Sequence, residues 1–315
     1  MTELTPHQSP LSASFAQRLT TATIETRSVL CVGIDPHPSL MPQLFGGPGQ
    51  TPGSDDAIRH LEAFAHAVLD AATGWVPAIK PQVAFFERQG PEGLRILAEL
   101  SAAARQRNLL VIMDGKRGDI GTTAQAYAEA WLGPEAPFAA DALTINPYLG
   151  FDSLEPLLSR AKQTLSGVFI LVRTSNPGSA DLQQQQTEGR SVWTHIAAGL
   201  AEAVRDQTDP SCALSSVGIV MGATGPEDAL SARQLLPAAP FLIPGYGAQG
   251  AGAAEALNGL TADQKTGVYK GGLVNASRAI THGEGVQGAT TKAAAITAMQ
   301  AAIQAANHDL ALHQG

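Results

Sequence analysis

Asp114, Lys116 and Asp119 lie in the run LLVIMDGKRGDIGTTAQ (109–125), and Arg117 brings the count to four charges in six residues. A carboxylate beside an ammonium keeps both groups ionised, and a second carboxylate makes the cluster a charge array. Charged residues at the carboxyl end of a parallel strand also sit where such folds place their active sites. The plainer reading is a solvated strand end closed by a salt bridge. Leu109–Met113 is a short apolar run that reads as a strand buried on both faces. Alternation past its end turns Asp114 and Lys116 to one side, where they can touch. Gly115, Gly118 and Gly121 give a turn, and Thr122 and Thr123 can cap a helix starting near Ala124.

The rest of the chain supplies elements to hold this group. Strands are expected over Ser28–Ile34, Trp75–Phe86, Leu109–Met113, Asp141–Ile145, Gly167–Val172, Ser216–Met221, Phe241–Ile243 and Val268–Val274. Helical spacing falls between them, as in Asp56–Ala72 with Ile58, Leu61, Phe64, Ala65 and Val68. Further helices are expected over Leu11–Thr26, Pro91–Arg105, Ala124–Leu132, Asp152–Ala161 with Asp152 as N-cap, Ser191–Arg205, Pro226–Leu236, Ala251–Leu257 and Thr290–Ala306. Residues 42–55 read as a Gly/Pro-rich loop, and Gln183–Gln186 as part of a mobile one. Strict strand–helix alternation implies a parallel sheet. Eight units predict an α/β fold of the (β/α)8 TIM-barrel type, with a doubly wound open sheet as the competing architecture. The expected organisation is an N-terminal arm and covering helix over 1–27, one barrel domain over 28–306, and a tail over 307–315.

Composition narrows the function classes. The 315 residues are 44% hydrophobic and 15% charged, with a formal charge of −8 and a pI near 5.4. That balance argues against a nucleic-acid or membrane-surface partner, while leaving room for a small anionic ligand held locally. Cys31 and Cys212 lie in apolar, strand-like runs and read as buried thiols of a reducing compartment. With no membrane-length apolar run and no signal-type N-terminus, the expected location is the cytoplasm.

In a barrel the polar residues that follow the strands converge on one mouth. They are Asp35, Lys80, the 114–119 cluster, Asn146, Ser175 and Asn176, Thr224, the PGYGAQG turn (244–250), then Asn275, Ser277 and Arg278. Asp35 before Pro36 can be a plain turn former, and Asn275 a cap. Lys80, inside VPAIKPQVAFF, either snorkels outward or finds a carboxylate. The PGYGAQG turn contains GxGxxG, but it follows the seventh strand, and the next strand ends in Asn275-Ala276-Ser277 rather than an acidic residue. Its glycines suit a phosphate held by backbone N–H groups, with Gly247, Gln249 and Arg278 where barrels place that site. No metal-ligand spacing and no GxSxG nucleophile motif is present.

The pattern Asp-x-Lys-x-x-Asp-Ile-x-x-x-Thr resembles the signature of orotidine 5′-phosphate decarboxylase, in the longer bacterial branch of that family. The resemblance extends from about Ser28 to Gly283. It implies decarboxylation of orotidine 5′-phosphate to UMP and CO2 in pyrimidine biosynthesis, without metal or organic cofactor. It further implies a homodimer with shared active sites. On that footing Lys116 is in the proton-donor place, within a network of Lys80, Asp114 and Asp119. Asp35 resembles the aspartate that binds the ribose hydroxyls, and Ser175 with Asn176 the pyrimidine contacts. Pro244 resembles the proline beside the base, and Gln249 and Arg278 the phosphate-gripping pair. Asp119 and Thr123 match residues donated across the dimer interface. The chain departs from many relatives in having Ser277, not glycine, before the arginine, and a long polar loop after the fifth strand. The rival readings are a magnesium-dependent sugar-phosphate decarboxylase or aldolase on the same barrel, a non-catalytic phosphate-ligand binder, and a Schiff-base enzyme.

Overall fold

Short runs of Val, Ile, Leu and Ala form the staves of a closed parallel barrel in the computed structural model, which describes residues 12–247, 250–263 and 266–312. The strands are β1 (Leu30–Ile34), β2 (Ala78–Pro81), β3 (Leu110–Arg117), β4 (Ala142–Ile145), β5 (Gly167–Arg173), β6 (Val217–Met221), β7 (Phe241–Ile243) and β8 (Gly272–Ala276). Each pairs in parallel with its neighbours in sequence, and β8 closes on β1 through Leu30–Val274, Cys31–Asn275 and Val32–Ala276. That closure makes the fold a (β/α)8 TIM barrel and excludes the open sheet. The surrounding helices are amphipathic. Asp55–Ala72, for example, buries Leu61, Phe64, Ala65, Val68 and Ala72 at helical spacing. Its Ser54 Oγ accepts the Ala57 N–H, and Asp55 and Asp56 sit in the positive first turn. Among the described residues no helix is long and apolar enough to cross a membrane.

The lumen is filled in layers. Cys31, Ala78, Ile112, Ala142, Phe169 and Leu273 share one apolar cluster. The helix Phe15–Thr26 covers that cluster from the N-terminal ends of the strands, adding Phe15, Ala16 and Leu19. Phe15 meets Phe169 edge to face, 5.9 Å between centroids, and Gly167 makes the approach possible, since a Cβ there would lie 2.3 Å from the Phe15 ring. Arg18 pairs with Asp141, and Ser14 Oγ donates to Asp209 at 2.6 Å. Two residues further along these strands, where alternation returns to the lumen, stand Gly33, Lys80, Asp114, Thr144, Leu171 and Asn275. Within one layer the interior changes from wholly apolar to one that holds Lys80 and Asp114.

Local boundaries depart from the sequence expectation in several places. Trp75–Phe86 is not one strand: β2 ends at Pro81, and Val83–Glu87 is a helical turn that buries Val83 and Phe86. A short apolar run does not distinguish that i, i+3 pair from alternation. Gly271, at φ 92°, interrupts the strand expected over Val268–Val274, so Tyr269–Lys270 pairs with Thr261–Ala262 and β8 starts afresh. The helix after β3 begins at Gly121. Thr122 and Thr123 therefore lie inside its first turn, and Ile120 holds the capping position with no side-chain cap. Asp152 is no N-cap either, because it sits in a 3-10 turn, Phe151–Leu154, ahead of the helix Glu155–Gln163. Ser191–Arg205 divides at Leu200 into Val192–Gly199 and Ala201–Asp206.

The glutamine-rich segment is structured. The Gln183 side chain bonds both the Thr174 N–H and Oγ1 at 2.8 Å, and Gln186–Thr187 pairs with Arg190–Ser191. Cys212 lies in a turn between Thr208–Asp209 and Leu214–Ser215, not in a strand. The last helix runs from Lys292 to Leu312.

Candidate active site

β3 and β4 pair at Ile112–Ala142 and Met113–Leu143, and again at Arg117–Ile145. Asp114, Gly115 and Lys116 therefore stand opposite Thr144 alone, a bulge that swings two charged side chains over the lumen. Lys116 takes the left-handed conformation, φ 46°, which is uncommon and strained for a residue with a Cβ. Its N–H, left without a ladder partner by the bulge, donates to Thr144 Oγ1 at 2.9 Å.

Asp114 is the hub. Its Oδ2 accepts from Lys80 Nζ at 2.7 Å and Gln82 Nε2 at 3.1 Å. Its Oδ1 accepts from Lys116 Nζ at 2.6 Å and Thr144 Oγ1 at 3.0 Å. The Asp114 and Lys80 side chains are 10% and 6% exposed and Lys116 is 48% exposed, so Lys80 is sealed beneath the carboxylate while Lys116 faces the opening. Burial opposes the charge on Asp114, but Lys80 and then Lys116 outweigh it and hold the carboxyl well below the usual range. Burial likewise opposes the Lys80 ammonium, and Asp114 with Asp35 more than offsets it, leaving the pKa above an ordinary lysine's. Arg117, the fourth charge of the motif, serves the outside of the barrel, pairing with Glu87 and covering Trp131 at 5.3 Å.

A second polar corner lies where β1 and β8 meet. Asp35 Oδ1, Asn275 Oδ1, Ser277 Oγ and His282 Nε2 are buried there without a hydrogen-bond partner among the described residues. Gly33 keeps the corner open, because a Cβ there would lie 2.7 Å from Ser277 Cβ. Unpaired buried acceptors are costly, so such a corner favours a molecule that brings hydrogen-bond donors. His282 tilts against Phe64 at 5.4 Å between centroids, and burial brings its pKa down to about 4.

The remaining sequence candidates lie along the same C-terminal rim. Ser175 is half-buried, its backbone close against Gly222, and exposed Asn176 accepts from Thr174 Oγ1 at 2.6 Å. The Pro244 carbonyl accepts the Ala223 N–H at 2.9 Å. Exposed Gly247, at φ 72°, donates to Ala251 O at 2.9 Å and accepts from Gly250 N at 3.0 Å, forming a tight turn that needs glycine. Arg278 is exposed at the start of the helix Arg278–Thr281. Gln249 lies outside the described residues. Asp119 accepts its neighbour's Ile120 N–H at 2.8 Å and Thr123 is exposed; within one chain neither hydrogen-bonds to the Asp114 cluster. Sequence reasoning missed Gln82 and Thr144. Both stand two residues beyond a lumen position or within a lumen layer, a period-two signal that could have found them. It missed His282 as well, for which no such signal exists.

A closed barrel whose mouth carries one carboxylate gripped by two lysines is an enzyme scaffold with its fixed charge in place. The orotidine 5′-phosphate decarboxylase / HUMPS family model matches residues 28–294. Two curated proteins named orotidine 5′-phosphate decarboxylase are 39% identical to the chain. The one from Rhodopirellula baltica aligns over 85% of this chain and 88% of its own, and the one from Deinococcus radiodurans over 91% and 96%. A crystal structure titled putative orotidine 5′-phosphate decarboxylase, from Streptomyces avermitilis, superposes with a TM-score of 0.77 at 35% identity, covering 98% of this chain and all of that one. The chain belongs to the orotidine 5′-phosphate decarboxylase / HUMPS family.

Proposed function

We propose that this carboxy-lyase converts orotidine 5′-phosphate to UMP and CO2 as a step of pyrimidine biosynthesis, with Lys116 stabilising and then protonating the carbanion at C6. The observation that carries the reading is the buried Asp114 carboxylate shared by Lys80 and Lys116 at 2.7 and 2.6 Å, in a chain of this family. When the bond between C6 and the carboxylate breaks, its electron pair stays on a ring carbon with little internal delocalisation. Stabilisation must come from charge already in position. The Lys116 ammonium is half-open to the mouth and tied to Asp114, so it can attract that pair and then hand over a proton.

Other residues take supporting roles in this reading. The unpaired Asp35 Oδ1 suits the donors of ribose hydroxyls. Gly247, Gln249 and Arg278 grip the phosphate, Pro244 packs beside the base, and Ser175 and Asn176 contact the pyrimidine. The enzyme works as a cytoplasmic homodimer in which Asp119 and Thr123 serve the partner's site. Supporting the dimer, Ile120, Tyr148, Leu149 and Phe151 are 59%, 75%, 51% and 49% exposed just past β3 and β4. That is a large apolar contribution for the surface beside Asp119, and one a second copy would cover. A spectrophotometric assay with orotidine 5′-phosphate tests the activity. Turnover to UMP that persists in EDTA is the expected result, and absence of turnover overturns the reading.

A further inference from the structure

We propose that Thr144 is a positioning residue for the Lys116 ammonium, fixing the lysine at both of its ends. The inference rests on the reading of Lys116 as the group that meets the developing charge. Thr144 is the one β4 residue facing the three-residue bulge of β3, and it is 1% exposed. Its hydroxyl accepts the Lys116 N–H at 2.9 Å, taking the place of the ladder carbonyl that the bulge removes. A hydroxyl has one proton to give. Two acceptors are in range, Met113 O at 3.5 Å and the ionised Asp114 Oδ1 at 3.0 Å, and the shorter, charge-assisted bond takes it.

Asp114 Oδ1 is also the oxygen that holds Lys116 Nζ, at 2.6 Å. The bonds therefore close a ring, from the Lys116 amide to the Thr144 hydroxyl, to Asp114 Oδ1, to the Lys116 ammonium. Branching at the Thr144 Cβ restricts the rotamer that aims the hydroxyl. The ring sets the left-handed backbone of Lys116 and the carboxylate that orients its tip through one atom, Thr144 Oγ1. A valine has nearly the same shape and would free the Lys116 amide and remove the bond that steadies Asp114 Oδ1, the oxygen that holds the ammonium. The substrate-gripping groups of the rim, Arg278 and the Gly247 turn, belong to other strands and are untouched.

Thr144→Val is expected to lower kcat roughly ten- to hundredfold, the worth of a charge-assisted hydrogen bond, with KM for orotidine 5′-phosphate and Kd for UMP held within about threefold. Thr144→Ser, which keeps the hydroxyl, is expected to recover most of the loss. A valine variant with kcat within twofold of the parent overturns the inference, as does a serine variant no better than valine. If the valine protein does not fold, Thr144→Ser against Thr144→Ala reads the same hydroxyl at equal loss of the methyl, and a kcat ratio below twofold is the overturning result. Lys116→Ala with substantial residual turnover would instead remove the reading of Lys116 on which the inference rests.

Discussion

Lys80 and Lys116 take opposite oxygens of the same carboxylate, Lys80 at Asp114 Oδ2 and Lys116 at Oδ1. The two ammonium groups differ in setting more than in chemistry. One is enclosed in the lumen, and the other stands at its opening.

Removing the enclosed partner tests the pair as structure. Lys80→Met leaves a buried carboxylate short of one charge, and breaking a buried pair in this way costs about 3–5 kcal/mol. The folded pKa of Asp114 is depressed, so its contribution is present above the unfolded carboxyl pKa and is lost as pH falls toward the folded value. The folded pKa of Lys80 is raised, so its contribution is complete below the unfolded lysine pKa and is lost only as pH rises past it. The gap in unfolding free energy between parent and variant should stay level across neutral pH and narrow in acid. Denaturant titrations at several pH values measure it.

Arg278 is expected to matter for binding rather than chemistry. Arg278→Ala should weaken UMP by roughly ten- to hundredfold, the usual worth of a hydrogen bond to a charged group, and should leave affinity for uridine almost unchanged. Calorimetry on both ligands makes the comparison, and equal loss for both would speak against a phosphate contact.

Asp119 makes no hydrogen bond to the Lys116 cluster of its own chain, which is what a residue serving a neighbouring site would show. A mixture of Asp119→Ala and Lys116→Ala proteins should regain activity that neither has alone, because mixed dimers contain one site with both residues intact. Activity is assayed after subunit exchange has been verified by mass spectrometry, and a mixture as inactive as its components would place Asp119 within its own site.

His282 gives a pH signature of stability. Burial lowers its pKa from 6.5 to about 4, while Asp35 acts against the shift and His37 and Arg278 with it. Between those values the unfolded imidazole binds a proton that the folded one refuses. The His282 contribution should therefore be constant above its unfolded pKa and decline below it, by about 3 kcal/mol. Melting temperatures at pH 7 and pH 5 should differ more for the parent than for His282→Gln.

Much of this arrangement was legible in the chain. Val, Ile and Leu runs at regular intervals announced eight staves, and Asp114 and Lys116 announced a contact, because composition and short-range alternation carry those facts. The strand that became the turn Val83–Glu87 was not legible, since five residues hold too little periodicity to separate the two forms. Nor was the bulge. Alternation alone brought Asp114 and Lys116 to one side, whereas the contact depends on a register shift set by the pairing with β4. Alternation could have placed Thr144 in the lumen but not named its partners, which are fixed by a neighbouring strand thirty residues away.

The helix Phe15–Thr26 stands outside the eightfold repeat, yet it stoppers the lower end of the lumen with Phe15 against Phe169. A version of the enzyme trimmed to its repeating units would open Phe169 and Leu273 to solvent from below. Water could then reach the underside of the layer on which Lys80 and Asp114 rest, and the low dielectric that gives their charges force would be diluted from beneath. A segment outside the repeat thus helps keep the charged layer dry from below.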